Sequence, residues 1–245
     1  FFAFKVAEDK NVSLPVIVNI DGFGLSHMIE PIEYWEQEMV KQYLPDFEPI
    51  NRLDPDHPVT MGALGMPDVF TEAKKAQNEA LIHSKPEILK AWKDMGDICG
   101  RYYKPIETYK MDSAKVAFLT MGSTGETVSL AIDDLREQGK AAGQLKLRLW
   151  RPFPFEELAE AVKGLDQIIV IDRAISFGGP GGPVASEIRN ALYHQDNMPY
   201  VTNYVCSLAG RDITADDFIT IYEEATSASE EELKRNDYTI YGVRV

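Results

Sequence analysis

Asp21-Gly22-Phe23-Gly24-Leu25-Ser26-His27 places a carboxylate, a hydroxyl and an imidazole within seven residues. Those three groups can perform acyl transfer when a base activates the hydroxyl and an acid orients the base. The spacing argues against that chemistry. No G-x-S-x-G turn presents Ser26 at the top of a sheet, and neighbours in sequence rarely reach triad geometry. Two readings remain: a loop histidine with a structural role, or a loop beside an active site shared with other chains.

Two glycine-rich stretches could approach a phosphate. Gly122-Ser-Thr-Gly-Glu-Thr127 follows an apolar run and opens a helical pattern. A helix N-terminus there could take an anion. Ser123 and Glu126, however, fit an S-x-x-E capping box, whose carboxylate would occupy the same end. Gly178-Gly-Pro-Gly-Gly-Pro183 is not G-x-G-x-x-G, and its prolines remove N–H donors that a phosphate nest needs. A tight exposed loop resting against another subunit suits it better. Gly178, Gly179, Gly181 and Gly182 are therefore candidates for a subunit interface.

His57, His83 and His194 have no partners at metal-ligand spacing, so no metal site is expected. Arg148, Arg151, Arg173 and Arg211 fall at predicted strand ends. They read as salt-bridge partners for the many acids or as cross-interface contacts, with Arg211 the interface candidate. Cys99 and Cys206 stand far apart without a C-x-x-C pair, which excludes ligation of an iron–sulfur cluster by four thiolates of this chain.

The elements that must position these groups follow from periodicity. Leu14–Ile20 is a continuous β-branched apolar run and predicts a buried parallel strand ending at Asp21. Helical patterns are predicted over 33–43 and over 68–100, the latter broken near Pro86. Residues 45–67 read as a long irregular connection. From 115 onwards strand and helix alternate four times: strands at 115–121, 145–149, 168–172 and 199–206, helices at 123–138, 154–163, 183–194 and 214–225. Such alternation predicts an α/β domain, a parallel sheet covered on both faces and joined by right-handed crossovers. The tail ends in a short strand-like segment, YTIYGVRV, expected to pack on another element or chain.

Composition bounds the function. Of 245 residues, 39 are acidic and 25 basic, a formal charge of −14. Nucleic acid and anionic membrane surfaces are poor partners for such a surface. No apolar run approaches the ~20 residues that span a bilayer. Two cysteines favour a reducing compartment, hence a cytoplasmic location. The start, FFAFKVAE, has no Met and no basic n-region. It reads as a helix entered midway, so the natural chain is expected to begin earlier, unless its first residues are simply missing.

AFKVAEDKNVSLPVIVNIDGFGLSHMIEPIE resembles the end of the first domain of 2-oxoacid:ferredoxin oxidoreductase α chains. RLDPDHPVTMGALGMPD resembles their connection into the second domain. VAFLTMGSTGETVSLAIDDLREQGKAAGQLKLRLWRPFPFEEL, IIVIDRAISFGGPGGPVASEIRNAL and NYVCSLAGRDIT resemble that second domain, which is similar to the C-terminal domain of transketolases. The ordered series covers nearly the whole chain. DRAISFG, GGP and GRDIT lean towards the pyruvate enzymes. The resemblance implies residues 1–50 as a remnant of a thiamine pyrimidine-binding domain and 51–112 as connecting loop and helices. It further implies 113–228 as the transketolase-like α/β domain and 229–245 as a tail.

The same resemblance implies conversion of pyruvate, coenzyme A and oxidised ferredoxin to acetyl-CoA, CO2 and reduced ferredoxin. Thiamine diphosphate with Mg²⁺ and [4Fe-4S] clusters would be carried in the complex and none wholly by this chain. Expected partners are a β subunit with thiamine and cluster, a γ subunit and a ferredoxin-like δ subunit. No catalytic residue is implied here. Asp21, Gly22, Phe23, Ser26 and His27 are implied only to lie near the cofactor. Alternatives are a scaffold module without catalysis, an enzyme for 2-oxoglutarate or 2-oxoisovalerate, and a stand-alone transketolase-class or nucleotide-binding enzyme. The last needs a diphosphate motif that is absent.

Overall fold

The computed structural model describes residues 1–22, 24–196, 198–235 and 237–244. The chain divides into two units, Phe1–Lys104 and Pro105–Val245.

The first unit is helical. It contains α1 (Phe2–Ala7), α2 (Gly24–His27), α3 (Gln37–Tyr43), α4 (Pro67–His83) and α5 (Lys85–Cys99). Helices α4 and α5 meet at Ser84, where Pro86 cannot supply the N–H that a continuous helix would need. The core is small and aromatic. Phe2 stacks on Trp92 at 5.4 Å, and Trp35 meets Tyr43 edge-on at 5.3 Å. The buried Tyr43 hydroxyl donates to Ala91 O at 3.0 Å. Burial, aided by the Asp94 carboxylate, pushes its pKa up to about 12. Lys5 ties α1 to α5 through Asp94 at 2.8 Å.

The strand expected over Leu14–Ile20 does not form. The segment joins no ladder, and Ile17 is 81% and Ile20 76% exposed. A strand exists only as a partner to another strand, and the described residues of this unit contain none.

The second unit is the expected α/β sandwich. Its elements are β1 (Ile106–Tyr109), β2 (Val116–Thr120), α6 (Thr124–Glu137), β3 (Ala142–Leu147), α7 (Phe155–Ala161) and β4 (Gln167–Asp172). There follow α8 (Pro183–Leu192), β5 (Tyr200–Val205), a single 3₁₀ turn (Leu208–Gly210), α9 (Ala215–Ser227), α10 (Glu230–Lys234) and β6 (Tyr238–Ile240). Six strands lie in the order β1-β3-β2-β4-β5-β6. All neighbours are parallel except β1, which runs antiparallel to β3 with Ile106 opposite Leu147. The tail returns to the sheet as β6, beside β5.

Alternate residues of each central strand point to opposite faces, so both faces need cover. Ala117, Leu119, Ile168 and Val170 pack with Leu158 of α7 and Ile188 of α8. Phe118, Ile169 and Ile171 pack with Val128 and Ile132 of α6 and Phe218 and Tyr222 of α9. Helix α9 starts with a capping box. Asp217 N donates to Thr214 Oγ1 at 3.3 Å, and Thr214 N donates to Asp217 Oδ2 at 2.8 Å.

Candidate functional site

Chain order reverses between β2 and β4, because β2 is followed by β3 on one side and later by β4 on the other. In open α/β sheets ligands collect outside the carboxyl ends of the strands at such a point. The loops there are 121–123 after β2 and 173–182 after β4, with 206–214 following β5 next door.

The end of β4 is occupied by the protein itself. Asp172, 1% exposed, closes the strand IIVID. Its Oδ1 accepts from Val184 N at 2.9 Å, and its Oδ2 accepts from Ala185 N at 3.1 Å and from Asn203 Nδ2 at 3.0 Å. Asn203 Oδ1 accepts from Gly182 N at 2.8 Å, so strand β5 is bonded to the same turn. Both oxygens of the carboxylate thus sit at the N-terminus of α8, where unpaired N–H groups and the helix dipole favour negative charge. Burial raises the Asp172 pKa, while the two backbone N–H donors and the Asn203 amide oppose that rise. Arg189 crosses behind it to Val201 O at 3.0 Å and Pro180 O at 3.3 Å, its own pKa lowered by burial.

This packing explains the glycines. A Cβ on Gly182 would lie 2.1 Å from Asp172 Cγ, and one on Gly181, at φ +117°, 2.5 Å from Asn203 Oδ1. Both are buried. Gly178 is exposed and Gly179 half-buried, at the tip of a loop closed by the Ser176–Gly181 bridge. The four interface candidates thus share one loop: two stand at its surface and two hold Asp172 in place.

The turn after β2 corrects one expectation. Ser123 adopts helical dihedrals (φ −62°, ψ −29°) and makes no cap hydrogen bond. An N-cap side chain reaches back to N–H groups only from an extended backbone. Ser123 Oγ accepts from Arg173 at 3.4 Å, and Glu126 pairs with Lys146 at 2.9 Å. Beneath this turn Gln144 donates to Thr120 Oγ1 at 3.1 Å and to Gly125 O at 2.7 Å, fixing α6 against β2 and β3.

Other candidates fall as follows. Arg148 pairs with Glu107 at 2.6 Å and Arg151 with Glu187 at 2.9 Å. Arg211 is exposed and donates to Gly242 O. Asp21 is half-buried and Gly22 exposed, Phe23 lies outside the described residues, and Ser26 and His27 are exposed. Ser26 Oγ lies 3.0 Å from His27 Nδ1, a contact between sequence neighbours in the helical unit. Cys206 is buried and its thiol is pushed up to about 12, which removes it as a nucleophile near neutrality.

Among the described residues no three His, Cys, Asp or Glu side chains gather to hold a metal ion. The α8 N-terminus already holds a carboxylate. Asp172, Asn203 and Arg189 were not singled out by sequence reasoning. The available signal was a polar residue closing the apolar run IIVI ahead of the loop that carries Gly178-Gly-Pro.

Comparison with known proteins agrees with this architecture. Residues 114–218 match the family model "Pyruvate:ferredoxin oxidoreductase core domain II". Residues 1–91 match "Pyruvate flavodoxin/ferredoxin oxidoreductase, thiamine diP-binding". Both models describe oxidoreductases of one kind, each matching a different stretch of the chain. The chain belongs to the pyruvate:ferredoxin oxidoreductase family, with the α subunits.

Pyruvate synthase subunit PorA of Thermotoga maritima is 38% identical over 228 residues, 93% of this chain and 58% of that protein. PorA of Methanothermobacter thermautotrophicus is 38% identical over 212 residues, covering 86% and 54%. Ketoisovalerate oxidoreductase subunit VorA of Pyrococcus abyssi is 38% identical over 224 residues, covering 91% and 56%. The chain thus spans somewhat over half the length of these relatives. A solved 2-oxoglutarate:ferredoxin oxidoreductase from Magnetococcus marinus aligns at 18% identity and a TM-score of 0.38. The alignment covers 61% of this chain and 23% of that one.

Proposed function

We propose that the chain is an architectural part of a pyruvate:ferredoxin oxidoreductase. That enzyme would convert pyruvate, coenzyme A and oxidised ferredoxin to acetyl-CoA, CO2 and reduced ferredoxin in the cytoplasm. Thiamine diphosphate with Mg²⁺ and the [4Fe-4S] clusters are carried in the complex and none wholly by this chain, whose partners are a β subunit with thiamine and cluster, a γ subunit and a ferredoxin-like δ subunit. The second unit contributes a sheet whose β4 end is filled by its own Asp172 carboxylate. The first unit contributes segments that close around the reaction centre, with Asp21, Gly22, Ser26 and His27 on the cofactor side. The loop tip at Gly178 and Gly179 faces a neighbouring subunit.

One observation carries this reading. Within the apolar, β-branched run at 14–20, which joins no ladder, residues 15–20 are exposed, and so are Met28, Ile29 and Ile32. Exposed apolar residues gathered in one stretch of chain mark a surface that further polypeptide covers.

The test is reconstitution. Mixed with the N-terminal remainder of the α subunit, the β, γ and δ chains, thiamine diphosphate and Mg²⁺, this chain is expected to restore pyruvate-dependent dye reduction and to elute with them. The chain supplied alone with the same cofactors is expected to give none. Dye reduction by the isolated chain, or elution as a separate species from the mixture, would overturn the reading. The equal identity to a ketoisovalerate subunit gives 2-oxoisovalerate as the second substrate to try. Faster turnover with it would reassign the oxoacid while leaving the architectural role intact.

A further inference from the structure

Beyond the carboxyl ends of β5 and β6 lies a cavity of about 330 Å³ that takes Arg211 and Arg244 into one wall set. Its apolar side is formed by Leu208, Ile240 and Val243. We propose that this cavity binds a phosphate monoester, its dianion between the two guanidinium groups and its organic body on the apolar side. The proposal goes beyond the oxidoreductase reading and stands without it.

Charge is the first argument. The chain has 39 acidic residues against 25 basic ones, yet two arginines line one small cavity. Two positive charges lining one cavity are matched by a dianion. A single carboxylate would leave one guanidinium uncompensated. Arg211 spends one donor on Gly242 O, which leaves most of the five N–H groups of a guanidinium for a ligand. The second argument is shape. The volume falls in the range of small-ligand pockets, which combine apolar walls with a few orienting polar groups.

The third argument is preorganisation. Ser207 (φ 55°) and Ala209 (φ 52°) both occupy the left-handed region that residues with a Cβ avoid. Strained backbone of this kind concentrates at ligand clamps. It persists here because Ser207 Oγ donates to Arg211 O at 2.9 Å, while Gly210 N and Arg211 N return to Ser207 O and Leu208 O, each at 3.2 Å. The strained turn therefore fixes the backbone from which Arg211 extends. Tyr241 anchors the facing segment through Asp217 at 3.0 Å.

Calorimetric titration of the full chain, alone and in any assembly that copurifies with it, tests the site with phenyl phosphate, inorganic phosphate and benzoate. Phenyl phosphate is expected to bind saturably and roughly tenfold more tightly than benzoate, which carries the same ring on a monoanion. Inorganic phosphate is expected between them. Arg244→Ala is expected to weaken phenyl phosphate at least roughly tenfold with an unchanged circular dichroism spectrum. Arg211→Lys, which keeps a cation to meet Gly242 O, is expected to weaken it severalfold. Absence of saturable binding, equal affinity for benzoate, or undiminished affinity in either folded variant would overturn the proposal.

Discussion

Phe118 and Ile17 belong to runs of similar composition, VAFLT and PVIVNI, yet Phe118 is sealed from solvent and Ile17 is 81% exposed. The difference lies outside either run. Strand β2 sits between β3 and β4, with helices over both faces, so every backbone group and side chain of Phe118 has a partner. Residues 14–20 have the same preference for an extended backbone and no ladder to enter. Strand propensity is a fit to a pleated, half-covered surface, and the surface must be supplied. The second unit supplies its own. The first does not.

Truncating one residue in each run breaks or sharpens that comparison most directly. Phe118→Ala, which empties a site shared with Phe218 and Tyr222, is expected to cost about 3–5 kcal/mol by denaturant unfolding. Ile17→Ala is expected within about 0.5 kcal/mol of wild type in the isolated chain, as for exposed positions generally. It should nonetheless weaken association with the partner subunits. A large unfolding cost at Ile17 would show that the run is covered within the chain, and the contrast would fall.

A smaller effect is expected at the filled strand end. Gly182→Ala must push Asp172 aside, because the new Cβ would fall 2.1 Å from its Cγ. Its backbone, at φ −78°, accepts any residue, so the clash alone sets the cost, about 1–3 kcal/mol. The same change at Gly22, where nothing lies within 4 Å, is expected to leave the melting temperature of the isolated chain unchanged.

The smallest effect concerns pH. The Asp217 pKa is held down chiefly by the Thr214 N–H, against a desolvation rise that outweighs either of the further lowering contacts from the Thr214 and Tyr241 hydroxyls. A depressed carboxylate contributes stability that is full above its unfolded value, near about pH 4, and is lost as pH falls through the folded value. Asp217→Asn is expected to cost about 0.5 kcal/mol at neutrality, and the gap to wild type should close as pH falls below the ordinary carboxylate range. A gap that stays constant with pH would show that the charge of Asp217 plays no part in capping α9.

These contrasts also mark what the sequence made legible. The four strand–helix units could be read because burial on both faces leaves runs such as IIVID, and the covering helices keep Val128, Ile132 and Leu135 on one stripe. The break at Ser84 could be read from Pro86. The fate of 14–20 could not, since a local pattern encodes preference and not partnership. Ser123 was misread as a cap because its dihedrals are set by the turn leaving β2. The Asp172 network was invisible because its members, Asp172 and Asn203, stand 31 residues apart and meet only through the β4–β5 pairing. Arg211 and Arg244 likewise converge only because β6 returns beside β5.

The carboxylate of Asp172 has one more consequence. By seating its own anion on α8, the sheet behaves as a receptor sold with its ligand already attached. Screening libraries of nucleotide mimics should find no purchase at that turn. An Asp172→Gly replacement would instead open a vacancy with three orphaned donors, the natural place to graft an engineered phosphate or carboxylate site onto this scaffold.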